Sequence, residues 1–354
     1  MSASDPIPQP TPWRRLVPVG VLLAVIVSVI VIAFTWPTVA STAKDVPVAI
    51  AGPPAQTAQV ADALTRSGDT FDVRVVDDRA KALQLIKERD VYGAVVVSED
   101  AAPEVLTASA ASSAVSQILT RVGTELQQEG ATQSDAAAAT TPTVKITDAV
   151  SYSENDPSGA GLAASAFPLV MGGMLGGILL TFLVHGIGRR LTGLAVYAIA
   201  AGLAVPAVLQ GWFGVLQGPY LENAAAFALA LGSVAATILG AAALVGRIGV
   251  AVGPVLFMLF ANPIASAATP TQFLPGPWGS IGQWFPPGAG NRLLRDISYF
   301  PDANAAPQWI VLAAWTALGL ALTGIAAVIH RRRSRPRHGE HLLVTERTPD
   351  PLTV

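Results

Sequence analysis

The chain of 354 residues is 51% hydrophobic and only 13% charged, whereas soluble globular proteins carry about 25% charged residues. Its 22 basic and 24 acidic residues nearly balance, although the charges are distributed unevenly along the chain. The absence of cysteine excludes disulfides and thiolate metal sites. This composition predicts a membrane protein.

The first apolar run, residues 16–36, follows a proline-rich tail at residues 1–15 that ends in Arg14 and Arg15. The run is uncharged, and its length matches the roughly 20 residues that a helix needs to cross the hydrocarbon. A cleavable signal peptide is the alternative, because small residues follow shortly after. We favour an uncleaved membrane helix, since the apolar part of a signal peptide spans only about 7–15 residues.

Residues 37–160 have the pattern of a soluble α/β domain inserted after this helix. Their nine basic and seventeen acidic residues argue against binding to nucleic acid or anionic lipid. Strand patterns alternate with amphipathic helix patterns, which predicts a small parallel sheet with right-handed crossovers. We predict strands at 46–52, 71–77, 92–98 and 143–152, helices at 56–68, 78–90 and 112–128, and a flexible segment at 129–143. The third strand is uniformly apolar and should lie centrally, and Asp77 or Asp78 should cap the second helix.

Five further uncharged runs of membrane length follow within residues 161–330, so the chain is expected to be an α-helical polytopic membrane protein with six transmembrane helices. Each run can close its backbone hydrogen bonds as a helix without leaving a charge in lipid. The runs are 161–185, 191–216, 223–246, 248–268 and 308–330; the fifth and sixth are joined by an outer loop at 269–307, and an arginine-rich tail occupies 331–354.

Arginines mark alternate junctions between these runs. Arg14 and Arg15 precede the first run, Arg189 and Arg190 separate the second from the third, Arg247 separates the fourth from the fifth, and a cluster follows the sixth. Cytoplasmic loops carry an excess of Lys and Arg. We therefore predict a multi-pass protein of the plasma membrane, with both termini in the cytosol and residues 37–160 outside.

The sequence contains no motif that carries enzymatic chemistry. It has no GxxxxGK[ST], no GxSxG and no HExxH pattern. We expect no catalytic, cofactor-binding or metal-binding residue, and no ATP hydrolysis by this chain alone.

Polar and aromatic residues of the membrane region provide candidates for a substrate path or gate. The runs contain no Asp, Glu, Lys or Arg, which disfavours transport coupled to buried carboxylates. Gln210 is a candidate cavity-facing amide, with a hydrogen bond between helices as the alternative. The loop from Asn262 onward is rich in Pro, Gly and aromatics, which prefer the membrane interface, and its short amphipathic segments suit either an outer gate or an interfacial lid. The candidates are Gln210, Trp212, Asn262, Trp278, Trp284 and Phe285.

The stretch "GGMLGG" places two glycine pairs one helical turn apart. Small residues at this spacing let helices approach closely. Gly172, Gly173, Gly176 and Gly177 are therefore candidates for helix packing and, more weakly, for a dimer face.

Two features resemble a known superfamily. One is the α/β domain between the first two runs, with "DVPVAIAG" and "YGAVVVSED"; the other is the five-run block that opens with "FPLVMGGMLGG" and carries "NPIASAATPTQFLPGPWGSIGQWFPPGAGNRLLRDISYF" before its last helix. Together they resemble the ABC-2-type transporter permeases, in the YhgE/Pip-like (phage-infection-protein-like) branch and especially its actinobacterial forms. The resemblance implies envelope-related export, a homodimeric permease and an ATP-binding subunit on another chain.

We therefore expect an export permease subunit for a hydrophobic or amphipathic substrate, because an uncharged bundle would not repel lipid-like cargo. The alternative is a membrane-anchored binding or scaffold protein of the cell envelope, without transport activity.

Overall fold

The computed structural model describes residues 12–66, 68–98, 102–133 and 144–333. Most of the predicted amino-terminal tail, most of the predicted flexible segment and nearly all of the predicted carboxy-terminal tail lie outside these ranges.

An apolar helix, α1 (Trp13–Val39), opens the described chain. At about 1.5 Å per residue, its 27 residues extend about 40 Å. None of its most apolar stretch is buried. Contacts form near its end, where the Trp36 and Trp278 rings meet edge to face at 6.1 Å and the Thr42 N–H donates to the Phe273 carbonyl. The helix thus exposes an uncharged surface over most of its length.

A five-stranded sheet follows in the order β2-β1-β3-β4-β5. The strand β3 lies in the middle, as its apolar sequence predicts, and the first three strands are parallel. The short β4 is antiparallel to β3; the sequence analysis missed it, because four residues show no clear alternation. The elements are β1 (Val46–Ala51), α2 (Pro54–Arg66), β2 (Phe71–Val76), α3 (Arg79–Lys87), β3 (Gly93–Val96), β4 (Glu104–Thr107), α4 (Ser113–Gln133) and β5 (Lys145–Asp148). We call this unit the sheet domain.

Three polar contacts hold α3 and β4 in place. The Asp78 carboxylate caps α3 by accepting from the Lys81 N–H at 2.7 Å. The Arg79 guanidinium donates to Glu104 at 2.6 Å, and the Thr147 hydroxyl donates to the same carboxylate at 2.7 Å. The hydrogen bond from Arg79 is the main cause that lowers the pKa of Glu104 to about 2. The same bond raises the pKa of Arg79.

Four long helices form a bundle in which α7 is central. They are α5 (Ala160–Leu183), α6 (Ile187–Pro206, continued as a π-helix over Ala207–Trp212), α7 (Tyr220–Val245) and α10 (Ala306–Arg333). The other three pack on α7, and α7 is the most buried of them, with 67% of its most apolar stretch inside the bundle. With α1, five helices of the described chain are long and apolar enough to span a membrane.

The predicted span 248–268 does not form a single membrane-length helix. Gly246 ends α7 with a positive φ of 73°, and the chain then reverses along α7 as a 3₁₀ helix (Gly246–Ala251) and a π-helix (Gly253–Ala261). Pro254, at the start of the second piece, supplies no backbone N–H. These glycines and this proline break the α-helix that the apolar run alone predicts.

The predicted outer loop folds into two short helices, α8 (Trp278–Gly282) and α9 (Pro286–Tyr299). Nearly all of α9 is buried, because α7 and α10 pack on it within the bundle and the sheet domain contacts it through Arg89. Leu293 of α9, Leu216 of the bundle and Leu106 of the sheet belong to one hydrophobic core.

The bundle therefore has two distinct ends. One end, which we call the sheet end, contacts the sheet domain. Near it the Tyr299 hydroxyl donates to the Val215 carbonyl, and the Ser153 hydroxyl donates to the Gly214 carbonyl. At the opposite end, which we call the arginine end, α5, α7 and α10 finish and α6 begins, and Arg190 and Arg247 face one open cavity.

Candidate functional site

A buried ion pair joins the sheet domain to α9. The Arg89 guanidinium donates to the Asp296 carboxylate, and the two side chains are only 11% and 2% exposed. Arg89 also lies over the Phe300 ring, 5.2 Å from its centroid, and Arg292 approaches Asp296 from the same helix at 3.9 Å. The pair holds the sheet domain against α9, because breaking the contact between the two side chains would leave each charge buried without its counterion.

Arg295, one residue before Asp296, makes a second connection. It donates to the Ala111 carbonyl of the sheet domain at 3.1 Å and to the Ala267 carbonyl at 2.9 Å. Burial is the main cause that lowers the pKa of this guanidinium. The amphipathic pattern of "NRLLRDISYF" does not predict this role, because Ala111 and Ala267 are distant from Arg295 in the sequence.

A small polar cavity lies at this junction, lined by Tyr92, Asn291 and Arg295 among others. Its volume is about 30 Å³, which is room for about one water molecule. Such a cavity has no room for an organic molecule.

A row of aromatic rings runs along the bundle face beside α1. Trp36 meets Trp278 and Phe260 meets Trp278, both at 6.1 Å between centroids; Phe260 then meets Phe285 at 5.5 Å, and Phe285 meets Trp315 at 5.6 Å. We call these five residues the aromatic row. Aromatic pairs at such distances attract beyond simple area burial. The row combines side chains from five places in the chain. Trp36 lies in α1, Phe260 in the π-helical segment, Trp278 in α8 and Trp315 in α10, and Phe285 directly precedes α9.

The residues predicted to line a substrate path or gate lie in two separate regions of the structure. Trp278 and Phe285 belong to the aromatic row, and the exposed Trp284 contributes its carbonyl, which accepts from the Trp315 Nε1–H at 2.8 Å. Asn262 caps the end of the π-helical segment beside them. Phe260, Trp315 and Trp36 were missed, because single aromatics within apolar runs give no signal of their partners.

Gln210 and Trp212 lie apart from the aromatic row, between α6 and α7. The Gln210 amide donates to the Gly218 carbonyl at 2.8 Å and accepts from Asn223 at 3.1 Å. Asn223 is fully buried and also donates to the Gln217 carbonyl at 2.8 Å. These bonds tie the turn between the two helices, while Trp212 is 81% exposed and stacks on Phe213.

The four glycines of α5 lie against neighbouring helices. A Cβ atom on Gly173 would come within 2.8 Å of Val234 Cβ, and one on Gly177 within 2.9 Å of Ile238 Cβ. Gly176 faces the Tyr197 ring of α6, and the Gly172 carbonyl accepts from the Tyr197 hydroxyl at 2.6 Å. The glycines thus permit close packing inside one chain.

An open cavity of about 1640 Å³ occupies the arginine end. Its rim carries the cationic side chains of Arg190, Arg247, Arg331 and Arg332, and its walls are apolar surfaces of α5, α6, α7 and α10. It is many times larger than the polar cavity at the junction between the sheet domain and α9.

Comparison with known families gives a match over about half of the chain. Residues 15–185 match the family model of the ABC-2 family transporter proteins, a segment that includes α1, the sheet domain and α5. No significant match was found among curated proteins or solved structures. ABC-2 permeases are membrane-embedded transport components that usually work with an ATP-binding partner. The match makes this segment similar to the ABC-2 family transporter proteins, and together with the apolar helices it supports a multi-pass membrane protein.

Proposed function

We propose that the chain is the permease subunit of an ABC-2-type exporter in the plasma membrane, of the phage-infection-protein-like branch. The observation that carries this proposal is the family match over residues 15–185, supported by five membrane-length helices. The chain works as a homodimer with an ATP-binding subunit on a separate chain. Its substrate is hydrophobic or amphipathic and belongs to the cell envelope.

The sheet end faces outward and the arginine end faces the cytosol in this proposal. The excess of arginine at one end of the bundle supports this orientation under the positive-inside rule. The chain crosses the membrane six times, because residues 246–261 run back along α7 and the chain meets the sheet domain again at Gln272, which accepts from the Tyr92 hydroxyl at 3.0 Å. Residues 37–160 are then extracytoplasmic.

The aromatic row lines the substrate path, with Trp284 and Asn262 beside it. Two observations support this placement. The row is partly exposed on the face of the bundle beside α1, and α1 itself packs on the bundle only lightly. Flat aromatic surfaces without fixed charges suit apolar or amphipathic cargo. The Trp36–Trp278 contact acts as the outer gate, and its opening lets α1 separate from the bundle.

Copurification tests the central part of the proposal. The full chain, tagged and solubilised in mild detergent from its native membrane, should retain an ATP-binding protein at near-equal amount, and the substrate-path variant Trp278→Ala should retain the same amount. A scaffold without transport activity would retain no ATP-binding protein. That result would overturn the permease proposal in favour of an envelope-binding role for the sheet domain.

A further inference from the structure

We infer that the cavity at the arginine end is a binding site for an anionic phospholipid, which places its phosphate at the arginine rim and an acyl chain against the apolar walls. Nothing in this inference depends on the transported substrate or on an ATP-binding partner.

The walls of this cavity suit an acyl chain. Phe182 of α5 and Leu320 and Val328 of α10 line it, and each remains between about two-fifths and one half exposed. Exposed apolar side chains between helix ends are stable when lipid covers them, since water-exposed apolar surface is unfavourable. A volume of about 1640 Å³ is far more than a free phosphate requires.

The rim of the cavity suits a phosphate. No Asp or Glu is among the described residues that line it. Arg190 is already committed, because it donates at 2.7 Å to both the Val184 and the Thr181 carbonyls at the end of α5. Its charge therefore offsets the partial negative charge of that helix end. Arg247, Arg331 and Arg332 remain, and no carboxylate among the described residues pairs with them.

The position of the cavity favours a lipid over a soluble anion. Three membrane-length helices finish at this end of the bundle and one begins there, so the rim lies where membrane-spanning helices meet the head-group layer. Basic pockets between transmembrane helices bind anionic head groups in this way. The combination of cationic rim and apolar wall matches a diacyl lipid, which carries both chemistries in one molecule.

Native mass spectrometry of the delipidated full chain tests the inference. We expect phosphatidylglycerol to bind in preference to phosphatidylcholine. Each arginine near an anionic head group contributes about fivefold in affinity. The triple variant Arg247→Gln/Arg331→Gln/Arg332→Gln should therefore bind phosphatidylglycerol on the order of 100-fold more weakly. The control variant Arg14→Gln/Arg15→Gln removes arginines that do not line the cavity and should bind as the parent does.

A second variant separates the lipid from a soluble anion and from misfolding. Val328→Trp fills part of the apolar wall and keeps every arginine, so it should also weaken phosphatidylglycerol binding while the lipid-free unfolding temperature stays close to that of the parent. Glycerol 3-phosphate added at the lipid concentration should not displace the lipid. The inference is overturned if the two lipids bind equally, if glycerol 3-phosphate competes fully, or if the triple variant loses an ATP-binding protein while its lipid binding is unchanged.

Discussion

Replacing Asp296 by Asn should weaken the connection between the sheet domain and the bundle more than any change to a surface charge. The carboxylate is 2% exposed and receives the Arg89 guanidinium, itself 11% exposed. Asparagine preserves the shape but removes the charge, so Arg89 stays buried without its counterion. Breaking a buried pair from one side costs about 3–5 kcal/mol, and we expect the free energy of unfolding of Asp296→Asn to fall by that amount.

The assay is equilibrium unfolding of the full chain in mixed detergent micelles, followed by tryptophan fluorescence. Asp72→Asn is the matched control, since Asp72 and Arg74 form a pair in the same domain that is about half exposed and 3.9 Å apart. Surface pairs contribute about 0–1 kcal/mol. The double variant Arg89→Met/Asp296→Leu should recover most of the loss, because it also removes the Arg89 guanidinium that Asp296→Asn leaves without its counterion.

If Asp296→Asn and Asp72→Asn lowered the free energy of unfolding equally, the buried pair would not stabilise the fold more than a surface pair does. A double variant that is less stable than Asp296→Asn would also contradict the prediction, since the cost would then come from lost packing and not from an unpaired charge.

Three further predictions concern pH, helix packing and the α6–α7 turn. The pKa of Glu104 is lowered to about 2 in the folded chain, so the stability that its carboxylate contributes is fully present above its ordinary pKa and is lost as the pH falls towards 2. The difference in stability between the parent and Glu104→Gln should therefore shrink between pH 6 and pH 3. A difference in unfolding temperature that stayed constant over this range would contradict the prediction. Gly177→Ala should cost about 1–3 kcal/mol by overpacking against Ile238, whereas the control Gly324→Ala, which meets open space, should be neutral or slightly stabilising; equal unfolding temperatures for the two variants would refute the packing argument. Gln210→Ala should cost about 1 kcal/mol through its lost hydrogen bonds and should leave copurification of an ATP-binding protein unchanged; loss of that protein would assign Gln210 more than a structural role.

The positions of most helices could be predicted from the sequence, because burial in lipid imposes an uncharged run of fixed length. The run 161–185 corresponds to α5 and the run 308–330 to α10, each within a few residues. The failure at 248–268 has a local cause: hydropathy alone does not register that Gly246, Gly249 and Pro254 interrupt the helix.

Contacts between distant parts of the chain could not be predicted in the same way. The Arg89–Asp296 pair joins residues 207 positions apart, and no periodic pattern relates two such sites. The aromatic row has the same character. Trp278 and Phe285 were identified because they crowd one loop, but Trp36 and Trp315 lie in ordinary apolar runs and become neighbours of that loop only in the folded bundle.

Thiol labelling in intact cells tests the proposed orientation of the chain in the membrane. The chain has no cysteine, so Ser158→Cys at the sheet end and Gly188→Cys at the arginine end each introduce a single reactive thiol at an exposed position. A maleimide that cannot cross the membrane should label Ser158→Cys on intact cells and Gly188→Cys only after the cells are permeabilised. Labelling of Gly188→Cys on intact cells, or protection of Ser158→Cys, would contradict the account.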